Sequence, residues 1–239
     1  MARTTTLEGR DLQWAVWTPP FWSAQKSWPV ILFLHGSAER GSDGVKQTQA
    51  GLGPALLLHP ERWPAVVVLP QCPADLWWGD PVCERFAMEA LQAGAREFSG
   101  DPARFLLTGK SMGGNGVWRL AADHPGTFAA IAPVCGFIRF DGAPPPKSYP
   151  GRGEPAEGEP HEDYAGVARA IGDVPVWMFH GANDRAVPVE ESRMMERALK
   201  AAGRTVRYTE YPDGDHQIWD RAYADPELAP WMISRRKSS

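Results

Sequence analysis

The chain has 239 residues and a formal net charge of −4, with 43% hydrophobic and 23% charged residues. This balance is typical of a folded globular protein and excludes disordered, collagen-like and coiled-coil chains. The acidic balance provides no basic field for nucleic acid or anionic lipid, and no run approaches the roughly 18 apolar residues of a membrane span. We therefore expect neither a nucleic-acid nor a membrane partner.

The first twenty residues contain no secretory core, because polar residues interrupt each apolar run. As given, the chain is expected to be cytoplasmic, or secreted if a signal peptide was removed. Cys72, Cys83 and Cys135 are too few for a disulfide scaffold and too scattered for a zinc site. Cys72 and Cys83 could in principle pair, but an acidic cytosolic protein favours buried free thiols. The sequence indicates no metal, no cofactor and no particular oligomeric state.

Short apolar runs rich in branched residues recur along the chain, separated by helix-length segments. Residues 12–16 alternate in polarity, which predicts an edge strand. Continuous apolar runs predict strands buried on both faces. These runs are residues 30–34, 65–69, 105–107, 129–132 and 174–179, and the last strand is predicted at 206–211.

Helices are predicted between these strands at residues 80–98, 113–122 and 189–201. The first begins with Asp80 as N-cap and Pro81 at the first helical position, and Gly100-Asp101-Pro102 stops it. The alternation predicts one α/β domain over residues 1–239, with a mostly parallel central sheet, helices on both faces and no large cap domain.

The segment at about 141–163 is rich in glycine and proline, so it is predicted as an inserted loop rather than a helix or a central strand. Either a lid over a site or an irregular surface loop would have this composition. Because the strand and helix alternation resumes afterwards, the segment is not interpreted as a linker between domains.

The strongest local motif is Gly109-Lys110-Ser111-Met112-Gly113, a G-x-S-x-G match between a predicted strand and a predicted helix. This context is typical of the nucleophile elbow, in which a strained turn exposes the serine hydroxyl. The glycines are needed because side chains there would clash with the neighbouring strand and helix. Ser111 is therefore the candidate nucleophile.

A serine hydroxyl needs a base to become a nucleophile, and in this fold the base is a histidine late in the chain. Three of the six histidines follow Ser111 by more than the length of a helix, namely His161, His180 and His216. His161 lies in the glycine- and proline-rich segment, and His180 is interpreted as a packing residue at a strand end. His216 lies in a polar turn after the last predicted strand, so it is the candidate base.

The acid that orients the base should follow the preceding strand. Asp184 lies in the turn after the strand predicted at 174–179, and it is the candidate acid. Asp213 and Asp215 are alternatives, but an aspartate within three residues of His216 usually shapes its own turn.

An acyl-transfer site also needs backbone N–H groups that stabilise an oxyanion. One is expected from Met112, directly after the nucleophile, and the other from the loop after the strand at 30–34. Ser37 is the predicted second donor and Ala38 is the alternative. His35 is interpreted as a structural residue of this loop.

Four segments in this order, LFLHGSAERG, LTGKSMGGNG, FHGANDRAVPVE and YPDGDHQIWD, resemble the α/β-hydrolase superfamily. More narrowly, they resemble bacterial carboxylesterases related to feruloyl esterases and polyhydroxybutyrate depolymerases, a group often called predicted peptidases. Dienelactone hydrolases are also similar, but they carry a cysteine nucleophile where this chain has Ser111. The resemblance implies the same catalytic residues, a small-molecule ester as substrate, an acyl-enzyme mechanism and no cofactor.

The loop after the strand at 65–69 contains an adjacent pair, Trp77 and Trp78, at the same edge of the sheet as Ser111. We expect Trp78 to line the site as a wall for an apolar or aromatic ester group, although packing beneath the loop is an equal alternative. Other interpretations are a serine peptidase or amidase, a plant cell-wall polysaccharide esterase, and a non-catalytic binding protein. The presence of all three catalytic candidates in order favours an enzyme over a binding protein. The triad is common to esterases and peptidases, and the expected lack of a second domain or large cap favours small ester substrates.

Overall fold

The computed structural model describes residues 2–138 and 164–237. The strands in these ranges are β1 (Ala2–Leu7), β2 (Arg10–Trp17), β3 (Trp28–Leu34), β4 (Val66–Pro70), β5 (Gly100–Lys110), β6 (Ala130–Val134), β7 (Val176–Gly181) and β8 (Val206–Tyr211). They form one sheet in the order β1-β2-β4-β3-β5-β6-β7-β8. From β4 to β8 neighbouring strands are parallel, whereas β1 and β2 are antiparallel additions at one edge.

Helices cover both faces of this sheet. They are α1 (Leu52–Leu58), α2 (Pro81–Glu97), α3 (Met112–Asp123), α4 (Tyr164–Ala170), α5 (Glu190–Ala201), α6 (Trp219–Ala224) and α7 (Leu228–Ile233). Helices α2 to α5 contribute to the apolar core on one face, and α1, α6 and α7 to the core on the other. The predicted α/β class is therefore confirmed. None of the helices in the described part of the chain is both long and apolar enough to cross a membrane.

The prediction of an edge strand at residues 12–16 is wrong. β2 contains these residues but lies second in the sheet, because β1 pairs outside it with Ala2 opposite Ala15. β1 is rich in threonine and alternates between exposed and half-buried positions, so it presents no apolar run that would predict a strand. The outermost position suits such a sequence, because an edge strand pairs with a neighbouring strand, here β2, on one side only.

The predicted start of α2 is confirmed: the Asp80 side chain accepts a hydrogen bond from the Val82 amide at 2.8 Å. The helix ends at Glu97 with Phe98 as its C-cap, as predicted, and the residues predicted to stop it form the start of β5. The predicted loop at about 141–163, together with His161, lies outside the described residues.

The parallel strands direct their carboxyl ends to one edge of the sheet, and the loops that carry the predicted site residues leave from that edge. Ser111 follows β5, Asp184 follows β7 and His216 follows β8. Since β5 and β8 are separated by only two strands, short loops can bring these three side chains together.

Candidate active site

Ser111 occupies a strained turn between β5 and α3. Its backbone has φ 55° and ψ −119°, a conformation that side-chain-bearing residues rarely adopt. Gly113 allows this turn, because a Cβ there would lie 1.9 Å from the carbonyl oxygen of Leu34. At Gly109 a Cβ would lie 2.6 Å from the carbonyl oxygen of Gly113. The two glycines thus serve the steric purpose predicted for the motif.

The side chains of Ser111, His216 and Asp184 form a continuous hydrogen-bonded chain. His216 Nε2 lies 2.9 Å from Ser111 Oγ, and His216 Nδ1 lies 2.7 Å from Asp184 Oδ2. An ionised carboxylate only accepts hydrogen bonds, so Nδ1 carries the proton and Nε2 accepts from the serine hydroxyl. This tautomer leaves Nε2 free to take the hydroxyl proton.

Asp184 is a buried carboxylate with four hydrogen-bond donors around it. Oδ1 accepts from the amides of Ala186 and Val187, each at 2.8 Å. Oδ2 accepts from His216 and lies 3.2 Å from His180 Nε2. Burial alone would raise the pKa of Asp184, but the hydrogen bonds from the two histidines and Val187 outweigh it and hold the pKa below its usual value. The group is therefore an anion at neutral pH.

His180 has a role that its strand-end position did not reveal. Its ring is fully buried, and Nε2 lies 3.1 Å from the Val187 carbonyl oxygen as well as close to Asp184. Both neighbours are acceptors, so Nε2 carries the proton, and Nδ1 accepts from the Ser192 hydroxyl at 2.7 Å. The packing interpretation was incomplete, because His180 also donates to the candidate acid.

The loops that carry Asp184 and His216 are joined by backbone hydrogen bonds. The amide of Asn183 donates to the Gly214 carbonyl at 2.8 Å, and the amide of Ala182 donates to Tyr211 at 2.9 Å. A Cβ at Gly181 would lie 2.2 Å from the Asp215 carbonyl oxygen, so this contact requires glycine. The close approach fixes the acid relative to the base.

The rival acids have other partners. Asp213 Oδ1 accepts from Arg221 at 2.9 Å, and Asp215 Oδ1 accepts from the amide of Gln217 at 2.8 Å. Both contacts stabilise the turn around His216, which is the structural role that their sequence position indicated.

The two predicted oxyanion donors lie at the starts of helices. Met112 is the first residue of α3, and Ser37 begins a 3₁₀ turn, Ser37–Glu39, that follows β3. The first amides of a helix have no partner within that helix, so they can donate to a ligand. Ala38 lies in the same turn and has the same property. The contact of Gly113 with the end of β3 brings these two helix starts together.

Hydrogen bonds of His35 fix the start of the loop that contains Ser37. Its Nε2 accepts from the Cys72 amide at 2.9 Å, so Nδ1 carries the proton and donates to the Gly36 carbonyl at 2.6 Å. The ring is fully buried, and burial lowers its pKa to about 4. His35 is therefore neutral and structural.

The expectation that Trp78 lines the site is wrong. Its ring has no exposed surface, packs edge-on against His35 at 5.0 Å, and donates to the His35 carbonyl at 2.8 Å. The half-buried member of the pair is Trp77, whose Nε1 donates to Asn115 Oδ1 at 3.3 Å. Asn115 lies one helical turn after Ser111, so Trp77 is the member of the pair that contacts the helix carrying the first predicted oxyanion donor.

The cysteines are not arranged as a metal site. Cys135, Asp184 and His216 offer potential ligand atoms within 4.8 Å of one another, but the last two already hydrogen bond to each other. Burial raises the pKa of the Cys135 thiol, which disfavours the thiolate that a metal requires. Cys72 and Cys83 are buried thiols with sulfur atoms 3.5 Å apart.

We predict that His35 makes the fold sensitive to mild acid. Between pH 6.5 and 4 the unfolded chain binds a proton at this position and the folded chain does not, so stability falls as the pH falls. The expected loss from pH 7 to pH 5 is about 2 kcal/mol. Urea unfolding of the parent and of His35→Gln at both pH values measures it, because the variant lacks the titrating ring. Parallel losses in the two proteins would contradict the assignment.

Comparison with known proteins identifies the family to which this chain is similar. Residues 82–230 match the model of the prolyl oligopeptidase family. A putative carboxymethylenebutenolidase of Methylorubrum extorquens is 30% identical over 116 residues, which are 48% of this chain and 34% of that protein. The chain spans only 21% to 42% of the length of the curated relatives it matches.

Solved structures share the fold. The crystal structure of a thermostable esterase aligns with a TM-score of 0.80 and 26% identity, over 99% of this chain and 63% of that chain. A ferulic acid esterase aligns with a TM-score of 0.70 over 98% and 97% of the chains, but its 17% identity supports the fold alone. These alignments confirm the resemblance to the α/β-hydrolase superfamily. Since the family model covers well over half of the sequence, the chain belongs to the prolyl oligopeptidase family.

Proposed function

We propose that this protein is a serine carboxylesterase that hydrolyses small or short-chain carboxylic esters through an acyl-enzyme. The observation that carries the proposal is the hydrogen-bonded chain from Ser111 Oγ through His216 to Asp184, with distances of 2.9 and 2.7 Å. Each member is held by its own loop, and the serine stands on a strained turn at the open edge of the sheet. This arrangement suits nucleophilic attack by a hydroxyl.

The first half of the reaction forms the acyl-enzyme. His216 Nε2 takes the proton of Ser111 as Oγ attacks the ester carbonyl carbon, and Asp184 stabilises the imidazolium. The negative charge that develops on the carbonyl oxygen is stabilised by the amides of Met112 and Ser37. The carbon–oxygen bond to the alcohol then breaks, and the alcohol leaves with the proton from Nε2.

The second half reverses these roles with water as the nucleophile. His216 takes a proton from water, the hydroxide attacks the acyl carbon, and the same two amides stabilise the second tetrahedral intermediate. Breakdown returns the proton to Ser111 Oγ and releases the carboxylic acid.

The names of the relatives favour ester over amide substrates. The thermostable esterase and the putative carboxymethylenebutenolidase are both named for the hydrolysis of carboxylic esters. The family name favours a second candidate, a serine peptidase or amidase with the same site. Parallel assays with ester and peptide substrates separate the two.

A side wall for the ester is proposed at Trp77 instead of Trp78. The Trp77 ring lies 6.3 Å from the ring of Phe137, and the Arg40 guanidinium lies 5.7 Å from the Trp77 centroid. Arg40 Nε donates to the carbonyl of Ser37 at 3.2 Å, which joins the wall to the proposed oxyanion loop. A flat half-buried ring beside the acyl site would accept an apolar or aromatic group, feruloyl esters included.

The first test is hydrolysis of p-nitrophenyl esters from acetate to laurate, of methyl ferulate, and of peptide p-nitroanilides. We expect the parent to cleave the short esters and Ser111→Ala to lose this activity. Asp184→Asn should lower kcat by about 10⁴-fold, as expected when a triad acid becomes an amide. Asp213→Asn is the matched control and should retain activity.

The outcomes of these assays distinguish the esterase from the peptidase and test the proposed triad. Cleavage of p-nitroanilides in preference to esters would replace the esterase proposal with the peptidase. Full ester hydrolysis by Ser111→Ala, or equal losses in Asp184→Asn and Asp213→Asn, would contradict the proposed triad.

A second prediction concerns the histidine behind the acid. His180→Asn removes a donor to Asp184, and a hydrogen bond to a charged group contributes about 1.5–3 kcal/mol. We therefore expect kcat to fall by about tenfold or more while KM is unchanged, since substrate does not touch this buried ring. Ser192→Ala keeps the His180 contact to Asp184 and should lose much less. Steady-state kinetics measure both, and an unchanged kcat in His180→Asn would refute the role.

A further inference from the structure

A buried ion pair lies directly behind the proposed nucleophile. Lys110 is the residue before Ser111, and Glu39 lies in the 3₁₀ turn after β3. Lys110 Nζ is 3.0 Å from Glu39 Oε2 and 3.1 Å from Oε1, and the two residues are only 3% and 9% exposed. Burying two charges costs desolvation free energy that their attraction often fails to offset. Stability alone is therefore a weak explanation for the pair.

The carboxylate of Glu39 also holds the loop that contains the proposed oxyanion donor. Oε2 accepts from the amide of Gly36 at 3.0 Å, and Gly36 directly precedes Ser37. The loop backbone packs against the pair, because a Cβ at Gly36 would lie 3.1 Å from Lys110 Nζ and 3.3 Å from Glu39 Oε2. Movement of the carboxylate would therefore shift the peptide that leads into Ser37.

The ammonium of Lys110 reaches the loop of the base as well. Nζ lies 4.0 Å from the centre of the Trp219 ring, within cation–π distance. Trp219 in turn contacts His216 edge-on, with ring centroids 5.7 Å apart and planes at 90°. Lys110 is thus linked to the oxyanion loop through Glu39 and to His216 through Trp219.

We propose that Glu39 and Lys110 are positioning residues that fix the oxyanion loop and His216 relative to Ser111. The inference rests on the proposed hydrolase function and deepens it. Both residues act through others, Glu39 through Gly36 and Lys110 through Trp219, and neither is a catalytic residue. Charged groups suit this role because hydrogen bonds to a carboxylate fix direction as well as distance, and preorganised donors stabilise the transition state more than the bound substrate.

The test compares Lys110→Met, Glu39→Gln and the double variant with the parent. The measurements are kcat and KM for p-nitrophenyl acetate and the inhibition constant of phenylboronic acid, which forms a tetrahedral adduct on the serine. We expect each single variant to lower kcat by about 10- to 100-fold with KM unchanged, because a misplacement of about 1 Å costs about 100-fold. Phenylboronic acid should bind more weakly by the same factor. The double variant should lose less than the product of the two single losses.

A matched control lies on the same strand. Arg104 pairs with Asp101 at 3.0 Å near the start of β5, far from Ser111 along the strand. Arg104→Met should lower Tm without changing kcat or the affinity for phenylboronic acid. If Lys110→Met fails to fold, Glu39→Gln and Trp219→Leu decide, because each removes one contact of the pair and keeps the ammonium.

The results also separate this inference from the proposed function. If folded variants have a lower Tm but the kcat and boronate affinity of the parent, the pair is only structural and the inference is wrong. If the parent cleaves no ester but its Ser111 reacts with a fluorophosphonate, the labelling rate replaces kcat, and equal rates in parent and variants overturn the inference. An unreactive Ser111 in the parent would instead overturn the proposed function and the inference with it.

Discussion

The contact between Gly113 and the end of β3 is the constraint on which the rest of the site depends. A Cβ at this glycine would lie 1.9 Å from the carbonyl oxygen of Leu34, so the turn after β5 can approach β3 only without a side chain there. The approach holds Ser111 at φ 55°, and the serine hydroxyl lies 2.9 Å from His216 Nε2. It also places the start of α3 beside the loop after β3, which carries Ser37. Nucleophile and proposed oxyanion donors therefore come from one packing contact.

Buried charges then set the loops around this contact. The carboxylate of Asp184 accepts from two amides and two histidines, and that of Glu39 accepts from one amide and Lys110. Buried ionised groups are costly unless they are hydrogen-bonded, so each carboxylate favours the one loop arrangement that supplies all of its donors. The parallel sheet brings the loops to one edge, and these hydrogen bonds determine their positions relative to Ser111. Beyond the packing contact at Gly113, we therefore interpret the loops of the site as held by hydrogen bonds to buried charges.

Much of this could be predicted from the sequence, because buried parallel strands appear as continuous apolar runs and the nucleophile elbow has its own motif. The side-chain environment could not be predicted in the same way. Trp77 and Trp78 are adjacent and identical in type, and the close approach of Gly116 to the Trp78 ring only becomes apparent when α3 is placed. The pair of Glu39 and Lys110 joins residues 71 positions apart, and no periodicity records such a contact. Edge strand β1 could not be predicted from the sequence for a related reason, because an outermost strand needs few apolar residues.

The central claim is that Ser111 is an activated nucleophile. Its most direct measurement is reaction with a fluorophosphonate followed by mass spectrometry of the intact protein and of its proteolytic peptides. We expect one adduct per chain, located on Ser111, and no adduct in Ser111→Ala. We also expect slower labelling when His216 is replaced by alanine, because the base is then missing. An adduct on another residue, or equal labelling of the parent and Ser111→Ala, would show that Ser111 is not the activated nucleophile.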